Sequence, residues 1–263
     1  MKILAAIDLM GGLVVRGVAG ERNMYAPLRS SLTSTDTAEP AAILRGLHER
    51  LGIEDFYLAD LDAIAGAEPT WEVYQRLLEE TGRLRIDAGI ADAQRAQRMA
   101  RFAKQNAGVT GIIVALESIR GKHRLREVCR EIPPELLVFS LDLKSGGPLG
   151  ATGAWHDSDP MAIVADAVEL GVERLIVLDL TAVGVGNGCP TLSLCQSIRR
   201  RFEHLEITTG GGVRGVDDLS LLASAGCDAA LVASAFHDGR IERDDLIRFV
   251  KTRSAGETSS PVV

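Results

Sequence analysis

Apolar residues in this chain gather into short unbroken runs, separated by stretches with helical spacing. Ile3-Leu4-Ala5-Ala6-Ile7 is the first run, and Asp8 ends it. A continuous apolar run of this length is expected of a parallel strand buried on both faces. Comparable runs occupy residues 56–62, 84–90, 111–118, 136–142, 174–180, 207–209 and 230–232. The spacing between them predicts helices over residues 40–51, 69–81, 91–105, 159–171 and 242–251. A further helix follows residue 118 and runs through Arg130, and Asp217-Asp218 caps another. Thr37 and Pro40 open the first helix, and Gly52 stops it. Eight strands alternating with eight helical patterns predict a parallel α/β fold.

The two halves of the chain resemble each other. Ala6-Ile7-Asp8-Leu9 answers Ser140-Leu141-Asp142-Leu143, and each is followed closely by Gly-Gly. Ala59-Asp60-Leu61 answers Leu178-Asp179-Leu180, and Ile113-Val114-Ala115 answers Leu231-Val232-Ala233. Residues 86–90 answer 208–213 more loosely. Matches in the same order at about half the chain length point to internal duplication. The expected fold is therefore a (β/α)8 TIM barrel built from two duplicated half-barrels, over residues 1–253. A doubly wound open sheet is the competing architecture, but no GxGxxG follows the first strand. Residues 254–263, SAGETSSPVV, are small and polar and read as a disordered tail.

Chemistry enters at the strand ends, where barrel active sites lie. Residues 207–214 (ITTGGGVR) and 230–235 (ALVASA) each end an apolar run in small residues before a helical pattern. Glycines there let backbone N–H groups approach an anion, and a following helix points its positive end at the same spot. Two such ends side by side form a phosphate cradle from Gly211, Gly212, Ala233 and Ser234. Asp8 and Asp142 end strands 1 and 5, on opposite walls of the mouth. Facing carboxylates can act as base and acid, as sugar-phosphate isomerisation requires. The alternative is that each aspartate only caps its loop. Asp60, Asp62 and Asp179 read as loop-holding residues, with Asp179 also open as a substrate contact. Trp155 either stacks on a planar heterocycle or anchors its loop. Arg16 either clamps a second anion or stays solvated.

Bulk properties narrow the partners. With 263 residues, 46% of them hydrophobic, the chain can bury a full barrel core. A net charge of −7 gives no basic footprint for nucleic acid. No apolar run is long enough to span a bilayer, and Asp8 interrupts the apolar start where a signal peptide would continue. Cys129, Cys189, Cys195 and Cys227 lack CxxC spacing, which fits a reducing cytoplasm. None of the histidines His48, His123, His156, His204 and His237 falls at a strand end, which argues against metal-dependent epimerase barrels. The expected partner is a small phosphorylated molecule, without cofactor, metal, nucleic acid or membrane. A monomer and a homo-oligomer both stay open.

Residues 6–16 (AIDLMGGLVVR), 58–62 (LADLD), 210–213 (GGGV) with Asp217-Asp218-Leu219, and 233–236 (ASAF) with Gly239 carry a resemblance. Over residues 1 to about 250 the chain resembles the HisA/HisF histidine-biosynthesis barrels: phosphoribosylformimino-AICAR-phosphate isomerase and its sister cyclase. The resemblance implies that Asp8 is a catalytic acid/base and that Gly211, Gly212, Ala233 and Ser234 hold a phosphate. It matches Asp142 to the strand 5 aspartate of both enzymes. Four departures stand out. Leu178 replaces a usual threonine, and Val183 replaces a functional loop aspartate. Asp87-Ala88-Gly89-Ile90-Ala91 replaces the Gly-Gly-Gly-Ile-Arg loop for a second phosphate, where Gly89 keeps one glycine. Glu117 adds negative charge nearby. The implied activity is an aldose–ketose isomerisation of a phosphorylated amino-sugar or ribotide. One alternative is a divergent paralogue with a singly phosphorylated substrate in tetrahydromethanopterin- or methanofuran-linked one-carbon metabolism. The other is a non-catalytic phospho-ligand-binding subunit.

Overall fold

The computed structural model describes residues 1–33, 37–150, 152–155 and 157–257. Eight parallel strands close on themselves: β1 (Lys2–Met10), β2 (Phe56–Asp60), β3 (Leu84–Asp87), β4 (Val109–Ala115), β5 (Leu137–Lys144), β6 (Arg174–Asp179), β7 (Glu206–Gly210) and β8 (Ala229–Val232). Each pairs with its neighbours in chain order, and β1 pairs with β8 from Lys2↔Ala229 to Ala5↔Val232. Helices α1 (Pro40–Leu51), α2 (Trp71–Thr81), α3 (Ala93–Gln105), α4 (Gly121–Cys129), α5 (Pro160–Glu169), α6 (Leu192–Arg201), α7 (Val216–Ser224) and α8 (Arg243–Glu257) follow the strands in turn. The fold is the (β/α)8 barrel the pattern predicts.

Strand parity sorts the core into two shells. Ala5, Ile7 and Leu9 face outward with Phe56, Leu58, Ile86, Ile112 and Phe139, packed beneath the helices. Leu4, Tyr57, Ile113, Val138, Ile176, Ala229 and Leu231 face inward and fill the barrel. Because side chains alternate with period two, Asp8 shares the inward phase of Leu4, and Asp142 that of Val138. Asp60 and Asp179 have the outward phase. A register slip of one residue would exchange the two sets. At the N-terminal end the interior is closed by buried Arg85. It donates to Glu206 (3.1 Å) and Thr208 Oγ1 (3.4 Å).

Elements depart from expectation where side chains intervene. Asp60 accepts from Ala63 N (3.1 Å), so β2 stops there and a short helical turn, Leu61–Ile64, begins. The first helix is capped by Glu39, which accepts from Ala42 N (2.8 Å), rather than by Thr37. Gly215, not Asp217-Asp218, occupies the cap of α7, and Asp218 instead binds Arg214. The long segment after β1 holds a strand, Leu13–Arg16, antiparallel to β1, and a 3-10 turn, Arg22–Met24. The last helix reaches Glu257; of the expected tail, residues 258–263 lie outside the described residues, as does His156. No helix among the described residues is long and apolar enough to cross a membrane.

Candidate active site

A cavity of about 370 Å³ opens at the C-terminal ends of the strands. The inward phase carries side chains near the C-terminal ends of several strands into it. Asp8, Tyr57, Asp87 and Asp142 reach it from β1, β2, β3 and β5, and Glu117 from the turn after β4. Gly211, Gly212, Ala233 and Ser234 line the opposite side, beyond β7 and β8. The structure thus brings the two predicted aspartates and the four predicted cradle residues to one cavity.

The cradle depends on its glycines. Gly212 has φ of 88°, and a Cβ there would collide with the Gly188 carbonyl. Ser234 starts a short helical turn, Ser234–His237, and its Oγ accepts from Arg240 Nη2 (3.1 Å).

The carboxyls are electrostatically crowded. Burial pushes Asp8 up to about 6, and the Arg22 guanidinium partly offsets this. Burial also raises Asp142, to about 7, and negative Glu117 adds to the effect. Hydrogen bonds from Ser140 Oγ (2.7 Å) and Glu117 N (3.4 Å) pull the other way. Asp87, 3% exposed, is raised well above the carboxylate range by burial, against the Gly89 N–H that donates to it (3.0 Å). Neither Asp8 nor Asp142 has an ion-pair partner among the described residues. Two carboxyls poised near neutrality on opposite strands can exchange protons with a molecule held between them.

The remaining nominated residues do not line the cavity. Arg16 donates twice to Asp238, at 2.7 and 2.9 Å. Gly89 packs on the turn after β2, where a Cβ would lie 2.5 Å from the Ala63 carbonyl. Trp155 is buried beside Phe139, ring centroids 6.0 Å apart, as a loop anchor. Asp179 faces outward and accepts from Gly146 N (2.7 Å), Ser145 N (3.2 Å), Thr181 N (3.0 Å) and Thr181 Oγ1 (2.6 Å). Burial works against its charge, but those hydrogen bonds bring its pKa below the usual value. Asp62 accepts from Gly11 N (2.7 Å), and so ties the β1 turn to the β2 turn. Cavity residues that the sequence reading passed over are Arg22, Tyr25, Tyr57 and Lys144. Tyr57 was accessible by parity, two residues before Ala59 on an inward face. Arg22 and Tyr25 sit in a segment with no periodicity to place them. No group of three or more His, Cys, Asp or Glu among the described residues is arranged to hold a metal ion.

Fold and site together define a (β/α)8 barrel with a carboxyl-lined mouth and a glycine-rich rim. The family model for "Histidine biosynthesis protein" matches residues 2–242, and the chain belongs to that family. An uncharacterized protein of Methanocaldococcus jannaschii is 26% identical, over 94% of this chain and 98% of its own length. The 1-(5-phosphoribosyl)-5-((5-phosphoribosylamino)methylideneamino) imidazole-4-carboxamide isomerase of Halorhodospira halophila is 30% identical, over 94% and 96%. The imidazole glycerol phosphate synthase subunit HisF of Thermobifida fusca is 24% identical, over 94% of each chain.

Proposed function

We propose that this protein is an aldose–ketose isomerase of a phosphorylated amino-sugar or ribotide, with Asp8 and Asp142 as its acid/base pair. The observation that carries this reading is the pairing of two carboxyls, raised to about 6 and about 7, across one cavity. Asp8 ionises first and serves as the base that takes a proton from the sugar carbon beside the anomeric centre. Asp142 keeps its proton longer and delivers it to the ring oxygen, opening the ring. The enaminol so formed becomes the aminoketone when Asp8 returns its proton to C1 and the C2 hydroxyl gives its own to Asp142, so that both carboxyls regain their starting states. Backbone N–H groups at Gly211, Gly212, Ala233 and Ser234 hold the phosphate and so fix the sugar relative to the pair. Relatives named as isomerases, at 30% identity over nearly the whole chain, support the same class of reaction.

A substrate with a single phosphate suits the cavity better than one with two. Asp87, Glu117 and Asp142 line the wall where a second phosphate would sit. A phosphate dianion there would have to keep those carboxyls protonated, a cost on the order of a few kcal/mol at a protein-like dielectric. Asp8 and Asp142 without ion-pair partners among the described residues support turnover over binding alone. We place the enzyme in the cytoplasm, in keeping with its four free cysteines.

Turnover of the aminoaldose ribotide named in its relatives, with Asp8→Asn as control, tests the reading. Turnover lost in the variant supports the pair. Equal turnover in both proteins sinks it. A folded protein that binds phosphate but leaves the ribotide unchanged directs the search to singly phosphorylated aldoses.

A further inference from the structure

The wall opposite the cradle is built from Tyr57, Asp87, Glu117 and Asp142, four acidic or acceptor side chains on consecutive strands. Tyr57 is 7% exposed and lines the cavity, yet its hydroxyl makes no hydrogen bond among the described residues. Asp87 uses one oxygen on the Gly89 N–H and has no partner for the other among the described residues. Both side chains are almost wholly buried and meet open space only through the cavity, so their unused hydrogen-bonding capacity is available to a molecule bound there. A cation already touches the wall. Arg22, from the segment after β1, donates to both Glu117 oxygens, at 2.8 and 3.0 Å. It does not reach a hydrogen bond with Tyr57 or Asp87.

We propose that Tyr57, Asp87 and Glu117 form a subsite for a positively charged nitrogen group, an ammonium or amidinium, carried by the substrate at the end away from its phosphate. This rests on the reading that the cradle takes a phosphate. A nitrogen cation would bring donors to the open Asp87 oxygen and the Tyr57 hydroxyl, and charge to a wall with an excess of carboxyls. The tyrosine ring adds a face that favours cations. An anion would meet three carboxyls and one guanidinium that is already engaged; Lys144, at the rim, is paired with Glu21 (3.1 Å). Arg22 thereby becomes the group that occupies the edge of the subsite in the empty protein and yields when a better-placed cation arrives.

The test is calorimetric titration of the full chain with three probes: pentyl phosphate, aminopentyl phosphate and pentane bisphosphate. Aminopentyl phosphate is expected to bind about tenfold tighter than pentyl phosphate, the value of one charge-assisted contact. The bisphosphate should be no tighter than pentyl phosphate. In Asp87→Asn the amino advantage should shrink to within about twofold, and Tyr57→Phe should remove part of it. A bisphosphate that binds tightest, or an amino advantage untouched in Asp87→Asn, overturns the proposal. Failure of the cradle reading looks different: neither pentyl phosphate nor pentane bisphosphate binds. Pentylammonium followed by NMR then decides the subsite alone. Binding that Asp87→Asn abolishes supports it, and no binding refutes it.

Discussion

Asp8 and Val183 face each other across Gly17. A Cβ at Gly17 would lie 2.8 Å from Asp8 Oδ2 and 3.0 Å from Val183 Cγ1. The loop after β6 is held there by the Val183 carbonyl, which accepts from Ala19 N (2.8 Å). A hydrocarbon thus stands beside the base where a second carboxyl would fit. Val183→Asp should place a like charge against Asp8 and raise its pKa further. The expected result is an acidic limb of the kcat/KM profile moved to higher pH, with no gain at the optimum. A higher maximal rate would show that the pair lacks a proton donor that position 183 can supply.

Arg22 lowers the pKa of Asp8. Arg22→Gln should therefore shift the acidic limb upward and leave the alkaline limb, set by Asp142, nearly in place. Profiles of kcat/KM between pH 5 and 8.5 read this directly. Limbs that move together would mean that the two carboxyls titrate as one unit.

Activity and stability are opposed at the pair. Both carboxyls are raised from 3.8 in the folded protein, so their contribution to stability is complete below about 3.8. It is lost as pH rises through about 6 for Asp8 and about 7 for Asp142. Asp142→Asn removes a carboxylate that is unfavourable when charged. It should lower turnover by about 10²-fold or more while stabilising the fold at pH 8 by on the order of 1–3 kcal/mol. Thermal unfolding at pH 8 and pH 4 should show the gain at the higher pH and its decline at the lower.

Parity along the strands made most of this arrangement readable in the sequence. Asp8 and Asp142 end apolar runs in the inward phase, which is why both could be nominated. Asp179 follows Leu178 and is therefore outward, so its bonds to Ser145, Gly146 and Thr181 were foreseeable as loop support. Side chains on long connections are not governed by any period. Arg16 was set against Asp238 by a contact between segments far apart in the chain, and Trp155 against Phe139 by the way its loop folds back on the strand before it. Arg22 was missed for the same reason: its position is fixed by Glu117, 95 residues away.

Asp60 supplies a contrast to Asp8 and Asp142. It is fully buried and gathers Ala63 N, Thr70 N, Thr70 Oγ1 and the Tyr74 hydroxyl (2.6 Å). Asp60→Ala leaves those donors stranded and should destabilise the protein by about 2–4 kcal/mol. Denaturant unfolding checks the loss. Phosphate affinity in the folded fraction should stay within about twofold of wild type.

Ser234→Asp tests the rim from the other side. A carboxylate at the mouth of the cradle should raise KM for a phosphorylated substrate at least tenfold, about 1.4 kcal/mol of binding, with kcat much less affected. A fall in kcat alone would mean that the phosphate sits elsewhere.

Arg85 gives the barrel a floor. Held by Glu206 and Thr208, with Arg174 against the same glutamate at 3.6 Å, it seals the end away from the mouth. The interior is a blind well rather than a duct. Water expelled by an arriving molecule must leave past that molecule, and whatever is bound must depart by the path it came. Traffic through this protein is two-way through one doorway, and the segment bearing Arg22 and Tyr25 stands in it.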